Sequence, residues 1–248
     1  MSKQSGLGDN LYVSGYNVSG DINSLGRIGG GPAALEVTGI DKLAFERIGG
    51  VRDGGIDWVS YFNPATDKAH DRFSALPTTD VQITYCRGTV LGSPAANLIA
   101  KQIDYAATRG DDGAFTFAVQ AQANGYGLEW CTQLTAGQRT DTTATSGTGV
   151  DFGTGSTAHG LQAYLHVFAF TGTSVTVKLQ ESSDNGVGDA WADVTGGGFT
   201  AATGITTQRI ATTAGQTVER YLRAVSTGTF TEAVFAVSVC RNDTATNF

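Results

Sequence analysis

The chain has 248 residues with 34 Gly, 4 Pro and 40% hydrophobic residues, enough to bury a core in one large β domain or two small ones. Lys and Arg number 16 against 23 Asp and Glu, a net charge of −7, so the basic excess that grips nucleic acid is missing. Cys86, Cys131 and Cys240 have no metal-ligand spacing and cannot all pair within one chain, which argues against a disulfide scaffold. No basic segment followed by an apolar one opens the sequence, and no apolar run reaches the ~18 residues of a membrane helix, so the expectation is a soluble chain made in a cytoplasm.

In chain order, alternation of apolar and polar residues at a spacing of two predicts strands at 11–13, 35–40, 55–62, 81–85 and 114–122. Further strands are predicted at 161–170, 174–181, 208–210, 221–226 and 233–240, each ended by Gly, Asn, Asp or Pro. Two helices are expected between them. In NPATDKAHDRFSAL, Asn63 caps, Pro64 takes the first helical position, and Ala65, Ala69 and Phe73 share a face. In GSPAANLIAKQIDY, Ser93 caps before Pro94, and Ala95, Leu98, Ile99 and Ile103 form the stripe. Residues 135–160 are nearly free of large apolar side chains and read as a linker or a long exposed loop. The whole is mainly β, a sandwich or barrel followed by a second, purely β unit.

Chemistry-bearing motifs are sparse. The glycines of RIGGGP (Gly29, Gly30, Gly31) and RIGG (Gly49, Gly50) lack the Lys and Ser/Thr of a phosphate loop and read as turns. Arg109-Gly110-Asp111 precedes Asp112-Gly113 and also reads as a turn. The segment from Asp184 to Asp189, DNGVGD, has oxygen ligands at short spacing but not the later glutamate of a calcium loop, so a hairpin turn is expected. His70, His159 and His166 are scattered with no catalytic context, so neither catalytic residues, metal ligands nor a cofactor are expected.

In GIDWVSYF, Ile56, Trp58 and Phe62 fall on one face and Asp57, Val59 and Tyr61 on the other. The connection DKLAFERIGGVRD, residues 41–53, mixes both charge signs with Leu43, Phe45, Ile48 and Val51, too apolar for a free loop.

The ordered series YVSGYNVSGDINSLG, LEVTGI, DKLAFERIGGVRDG, GIDWVSYFN, DKAHDRFSAL, VQITYCRG and GSPAANLIAKQIDY resembles the tail tube (major tail) proteins of long-tailed, siphovirus-type bacteriophages. Residues 15–24, GYNVSGDINS, carry the likeness most closely, with Asn17 where the family pattern often has Asp. FTFAVQAQANGYGLEWCTQL is similar to the family's closing strand pair, so the resemblance covers residues 6–136. It implies a tail-tube-like β-sandwich or barrel with one or two short helices over 1–136. A Gly/Thr-rich connection follows at 137–160, then a second β-sandwich unit at 161–248, a duplicated tube module or an outer decoration.

By the same resemblance the chain is a virion structural protein, made in the bacterial host cytoplasm and resident in the tail. Its copies self-assemble into stacked rings of six or three chains that conduct DNA during ejection. Expected partners are copies of itself, other tail proteins such as tape measure and terminator, and phage DNA passing without specific binding, with no membrane anchor. Ring-to-ring contacts fall to Asp41, Leu43, Phe45, Glu46, Arg47, Ile48, Val51, Arg52 and Asp53, and Asp57 is the lumen candidate. Tyr12, Tyr16, Asn17, Asp21 and Asn23 are the N-terminal subunit contacts. The alternative is a capsid or tail decoration or a host-carbohydrate-binding β-sandwich, in which Trp191, Tyr164 and Tyr221 stack on sugar rings.

Overall fold

In the computed structural model, residues 5–153 and 155–246 are described. Residues 1–4, Thr154 and residues 247–248, which the expected domain limits and connection include, lie outside them. The chain is mainly β, as the sequence predicts. Its strands are β1 (Asn10–Val13), β2 (Tyr16–Asn17), β3 (Ile22–Glu36), β4 (Arg47–Tyr61), β5 (Val81–Cys86), β6 (Pro94–Arg109), β7 (Phe115–Ala123) and β8 (Glu129–Gln133). They continue with β9 (Arg139–Asp141), β10 (Thr145–Ser146), β11 (Val150–Asp151), β12 (Leu161–Ser182), β13 (Ala192–Gly198), β14 (Thr206–Ala211) and β15 (Tyr221–Arg241). One helix, α1 (Ala69–Phe73), and a 3-10 turn at Ser19–Asp21 are the helical elements among the described residues.

The contacts divide the chain into two compact units that are not consecutive in sequence. One takes the described residues up to Ser19, Thr84–Asn97 and those from Trp130 onward; the other takes Gly20–Ile83 and Leu98–Glu129. The expected boundary at 137–160 therefore does not mark where contacts separate.

In the first unit, β12 and β15 pair antiparallel from Leu161↔Arg241 to Ser182↔Tyr221. Register shifts around Thr171, Gly172 and Ser174 bend this long strand pair. Gly172 is obligatory there, since a Cβ would lie 2.5 Å from the Phe230 Cα. Leu161, Leu165 and Phe235 from one half share a core with Val177, Leu179 and Leu222 from the other, so the bend folds the strand pair over itself. The strands predicted at 161–170 and 174–181 are thus one bent strand, as are those at 221–226 and 233–240.

Residues 137–160 are not a free connection. β9, β10 and β11 all pair with β15, and Arg139 clasps both carboxylate oxygens of buried Asp141 at 2.9 and 2.5 Å. Polar satisfaction replaces apolar burial here, which a reading of apolar content misses. The N-terminal strand belongs to the same unit, with Leu11, Tyr12, Val13 and Val18 buried and Tyr12 packed edge-on against Phe168.

In the second unit the strands run β3–β4–β7 and then the distal part of β6, all antiparallel. Ile56, Trp58 and Ser60 face inward as their spacing requires, and Trp58 meets Phe73 of α1 edge-on at 5.3 Å. The helix is shorter than predicted. Asn63 spends its side chain on the Ala65 N–H, Asp67 has a left-handed φ of 64°, and helical turns start only at Ala69. The other expected helix, at 93–105, is strand β6, and its Pro94 is the first strand residue. Ala95, Ala96, Leu98 and Ala100 are all buried, and a strand covered on both faces shows no period-two alternation.

Candidate assembly surface

β3 and β4 form a fifteen-residue hairpin, longer than the sheet that supports it. Strand β7 follows β4 only from Gly55 to Tyr61, so residues 31–53 extend as a two-stranded arm whose strand pairing is internal. The strand predicted at 35–40 ends at Glu36, and the connection expected at 41–53 occupies 37–46, leaving residues 47–53 in β4. Glycines 29–31 and 49–50 lie within paired strands rather than turns. A glycine-rich strand has no side chains with which to display its period.

The arm closes through Val37 N–H to Glu46 O at 2.9 Å and Glu46 N–H to the Thr38 hydroxyl at 3.0 Å. Lys42 sits between Asp41 and Glu46 at 3.5 and 3.9 Å, exposed pairs worth little. Apolar side chains are not tucked in. Leu35 and Ile48 face each other across the strands and are half exposed, Phe45 is 66% exposed under the Arg47 guanidinium, and Val51 is 85% exposed. Val37 is half exposed, and Ile40 and Leu43 are fully exposed. Together these seven side chains leave roughly 800 Å² open, about what one partner contributes to a stable interface.

The arm's root is held from one side. Segment 127–129 crosses β4 so closely that a Cβ on Gly54 would lie 2.7 Å from Leu128, and one on Gly127 3.1 Å from the Arg52 Cβ. Arg52 reaches the buried Glu129 carboxylate at 3.9 Å. Asp53 accepts from the Gly54 N–H and from the Gln122 amide, and these bonds hold its carboxyl below the usual carboxylate range.

Asp57 lies opposite Gln120 and points away from the Ile56–Trp58 side, on the half-exposed face. The N-terminal candidates separate. Tyr12 is fully buried and cannot meet a neighbour from its present position. Asp21 is occupied internally, accepting from Asn63 and from the Ala69 N–H at the start of α1. The Asn17 Oδ1 accepts from the Ser19 amide and hydroxyl, and its side-chain amide donates to the Gln138 Oε1 at 3.3 Å. Tyr16 is half-buried, and Asn23 is exposed and accepts from the Tyr61 hydroxyl.

Other sequence candidates resolve into structural roles. Gly113 N–H to Gly110 O and Gly110 N–H to Ala114 O make residues 110–114 a turn. The Asp184 carboxylate accepts from the amides of Val187, Gly188 and Asp189, so the 184–189 segment is a self-satisfied turn. Tyr164 is buried beneath Arg209, so its ring is not available for sugar stacking, and Trp191 has the Arg223 guanidinium over its ring at 4.4 Å. Burial pushes the Cys86 thiol up to about 12.

Sequence reasoning gave His166 no role, yet it anchors the N-terminal segment. Gly15 N–H donates to its Nδ1 at 3.2 Å, which fixes the other nitrogen as the donor, to Thr84 Oγ1 at 2.9 Å. Thr84 in turn donates to Asn97 Oδ1, which also accepts from Ser238. A lone strand histidine carries no local signal for such long-range partners.

No protein-family model and no curated protein matches the chain. Among solved structures it is similar to a chain of the virion of a native gene transfer agent particle, at 14% identity and a TM-score of 0.39, over 52% of this chain and 98% of that one. It is also similar to the Dit protein of phage SPP1, described as a hub adsorption apparatus paradigm in phages infecting Gram-positive bacteria, at 14% identity and a TM-score of 0.35 over 94% and 99%. A third is a chain of the phage p2 baseplate in its activated conformation, at 9% identity and a TM-score of 0.36 over 95% and 99%.

Proposed function

We propose that the chain is a virion structural protein, a tail tube subunit whose copies join into stacked rings that conduct DNA. The observation that carries this reading is the arm at 31–53, which beyond its root presents roughly 800 Å² of exposed apolar surface. A soluble monomer gains nothing from such a surface, whereas a subunit loses the exposure on assembly. Strand β3 adds a second feature of the same kind. Among the described residues it pairs only with β4, leaving a fifteen-residue edge open to strand addition by a second copy.

In this reading residues 41–53 reach a neighbouring ring and Tyr16, Asn17 and Asn23 lie at the subunit edge. Asp57, with Gln120 and Gln122, lines a polar wall along which DNA slides without gripping, and no catalysis is involved. The resemblance of residues 6–136 to tail tube proteins points the same way.

The test is sedimentation and negative-stain imaging of the purified chain beside a Leu43→Asp/Phe45→Asp variant. Rings or tubes from the parent, and a folded monomer from the variant, are the expected result. A parent that stays monomeric at high concentration and in the presence of tail initiator proteins overturns the proposal.

A further inference from the structure

The arm's two strands carry facing glycines at its root. Gly29 pairs with Gly55 and Gly30 with Gly54, and Gly31 faces Asp53. Register shifts lie on both sides of this ladder, between Leu25 and Ile28 and between Pro32 and Ala34. Cross-strand glycine pairs remove the side-chain contacts that stiffen a ribbon, and bulges next to them concentrate bending at one place. On the sheet side of the ladder, Ile56 and Trp58 are buried; on the other, the ribbon is exposed to its tip. A stiff segment and a cantilevered one therefore meet at the glycines.

The root is also latched. Gly127 and Leu128 press on Arg52 and Gly54, and Arg52 faces the 3%-exposed Glu129 carboxylate. This latch sits on β4 at the level of the ladder, where a small rotation is amplified along residues 31–53. The contact is long at 3.9 Å and Arg52 is one-third exposed, so it is a modest restraint that an interface of this size outweighs.

We infer that the arm has two positions related by bending at the Gly29–Gly31/Gly54–Gly55 ladder, and that the Arg52–Glu129 contact holds it in the unassembled one. Release of the latch is then the step that presents the apolar arm to a second copy. This inference regulates the surface described under the proposed function and rests on that reading for its partner, but the bending itself does not.

The experiment measures the free chain and its assembly separately. Nitroxides at Lys42→Cys and Thr108→Cys, in a Cys240→Ser background, report the arm-to-sheet distance by pulsed electron resonance, and assembly is timed on the unlabelled chains without these cysteines. Three further changes are compared with this parent. Glu129→Gln keeps the side-chain shape without the charge, Arg52→Met removes the same contact from the exposed side, and Gly29→Ala/Gly31→Ala stiffens the ladder at positions where a Cβ meets nothing within 4 Å. The unlatched variants should shift population to a second distance and assemble ~3–10-fold faster, while the alanine pair should narrow the distribution and slow assembly by a similar factor. Identical distance distributions in all four proteins overturn the inference. Distances that shift as stated in chains that never assemble leave it standing and remove the proposed function instead.

Discussion

His166 should make the first unit acid-sensitive in a pH range where carboxylates are still ionised. The imidazole is completely buried, and that burial lowers its pKa from 6.5 to about 3. Gly15, Thr84, Tyr12 and Phe168 surround it, and none is a carboxylate that would stabilise a charged ring. Between pH 6.5 and about 3 the unfolded chain binds a proton that the folded one refuses, so stability falls as pH falls through that window. Each pH unit costs up to ~1.4 kcal/mol, so acidification from pH 6.5 to 4.5 should cost roughly 2–3 kcal/mol. Denaturant unfolding at half-unit steps over that range, for the parent and His166→Gln, measures it. The parent midpoint should fall steadily while the variant, less stable at pH 7, stays nearly flat. Nuclear magnetic resonance of the ring protons gives the direct check. A folded-state titration with a midpoint above pH 5, or equal slopes in the two proteins, would refute the argument.

Three other changes probe single contacts. Gly30→Ala should destabilise the second unit by about 1–3 kcal/mol in thermal melts, because its Cβ would lie 2.2 Å from the Asp53 carbonyl oxygen, whereas an equal loss from Gly29→Ala would contradict that geometry. Asp141→Asn breaks the Arg139 clasp and the 2.5 Å bond from the Ser226 hydroxyl, and should cost about 2–4 kcal/mol and open residues 142–148 to proteolysis. Retained resistance at that loop would show that β15 pairing alone holds it. Millimolar calcium should leave the melting temperature unchanged, since the Asp184 oxygens are engaged by backbone amides; a concentration-dependent rise would mean that an ion displaces them.

What was legible in the sequence follows from what each residue must contact. Ile56, Trp58 and Asp57 show their alternation because one face of β4 is covered and the other is not. The first part of strand β6, from Ala95 to Ala100, is covered on both faces, so its apolar residues fall at helical spacing by accident. Strand β3 is opaque for the opposite reason, since its glycines carry no side chain to count. In residues 137–160 the ordering comes from Arg139, Asp141 and Ser226 acting over 85 positions, which no local composition reveals.

The arm's apolar content was legible, and its outline was not. Leu43, Phe45, Ile48 and Val51 announce a contact surface wherever the loop ends, because apolar area must be covered by something. The contacts at its root come from Gly127, Leu128 and Glu129, more than seventy residues downstream of Arg52 and Gly54, which they meet. The N-terminal segment makes the complementary point. GLGDNLYVSGYNVSGDINSLG carries the clearest family likeness, yet Leu11, Tyr12, Val13 and Val18 are core and Gly15 is tied to a buried histidine. Those residues therefore answer a folding constraint within the first unit. Under the proposed function the assembling surface is instead the arm, where Leu43, Phe45 and Val51 are exposed.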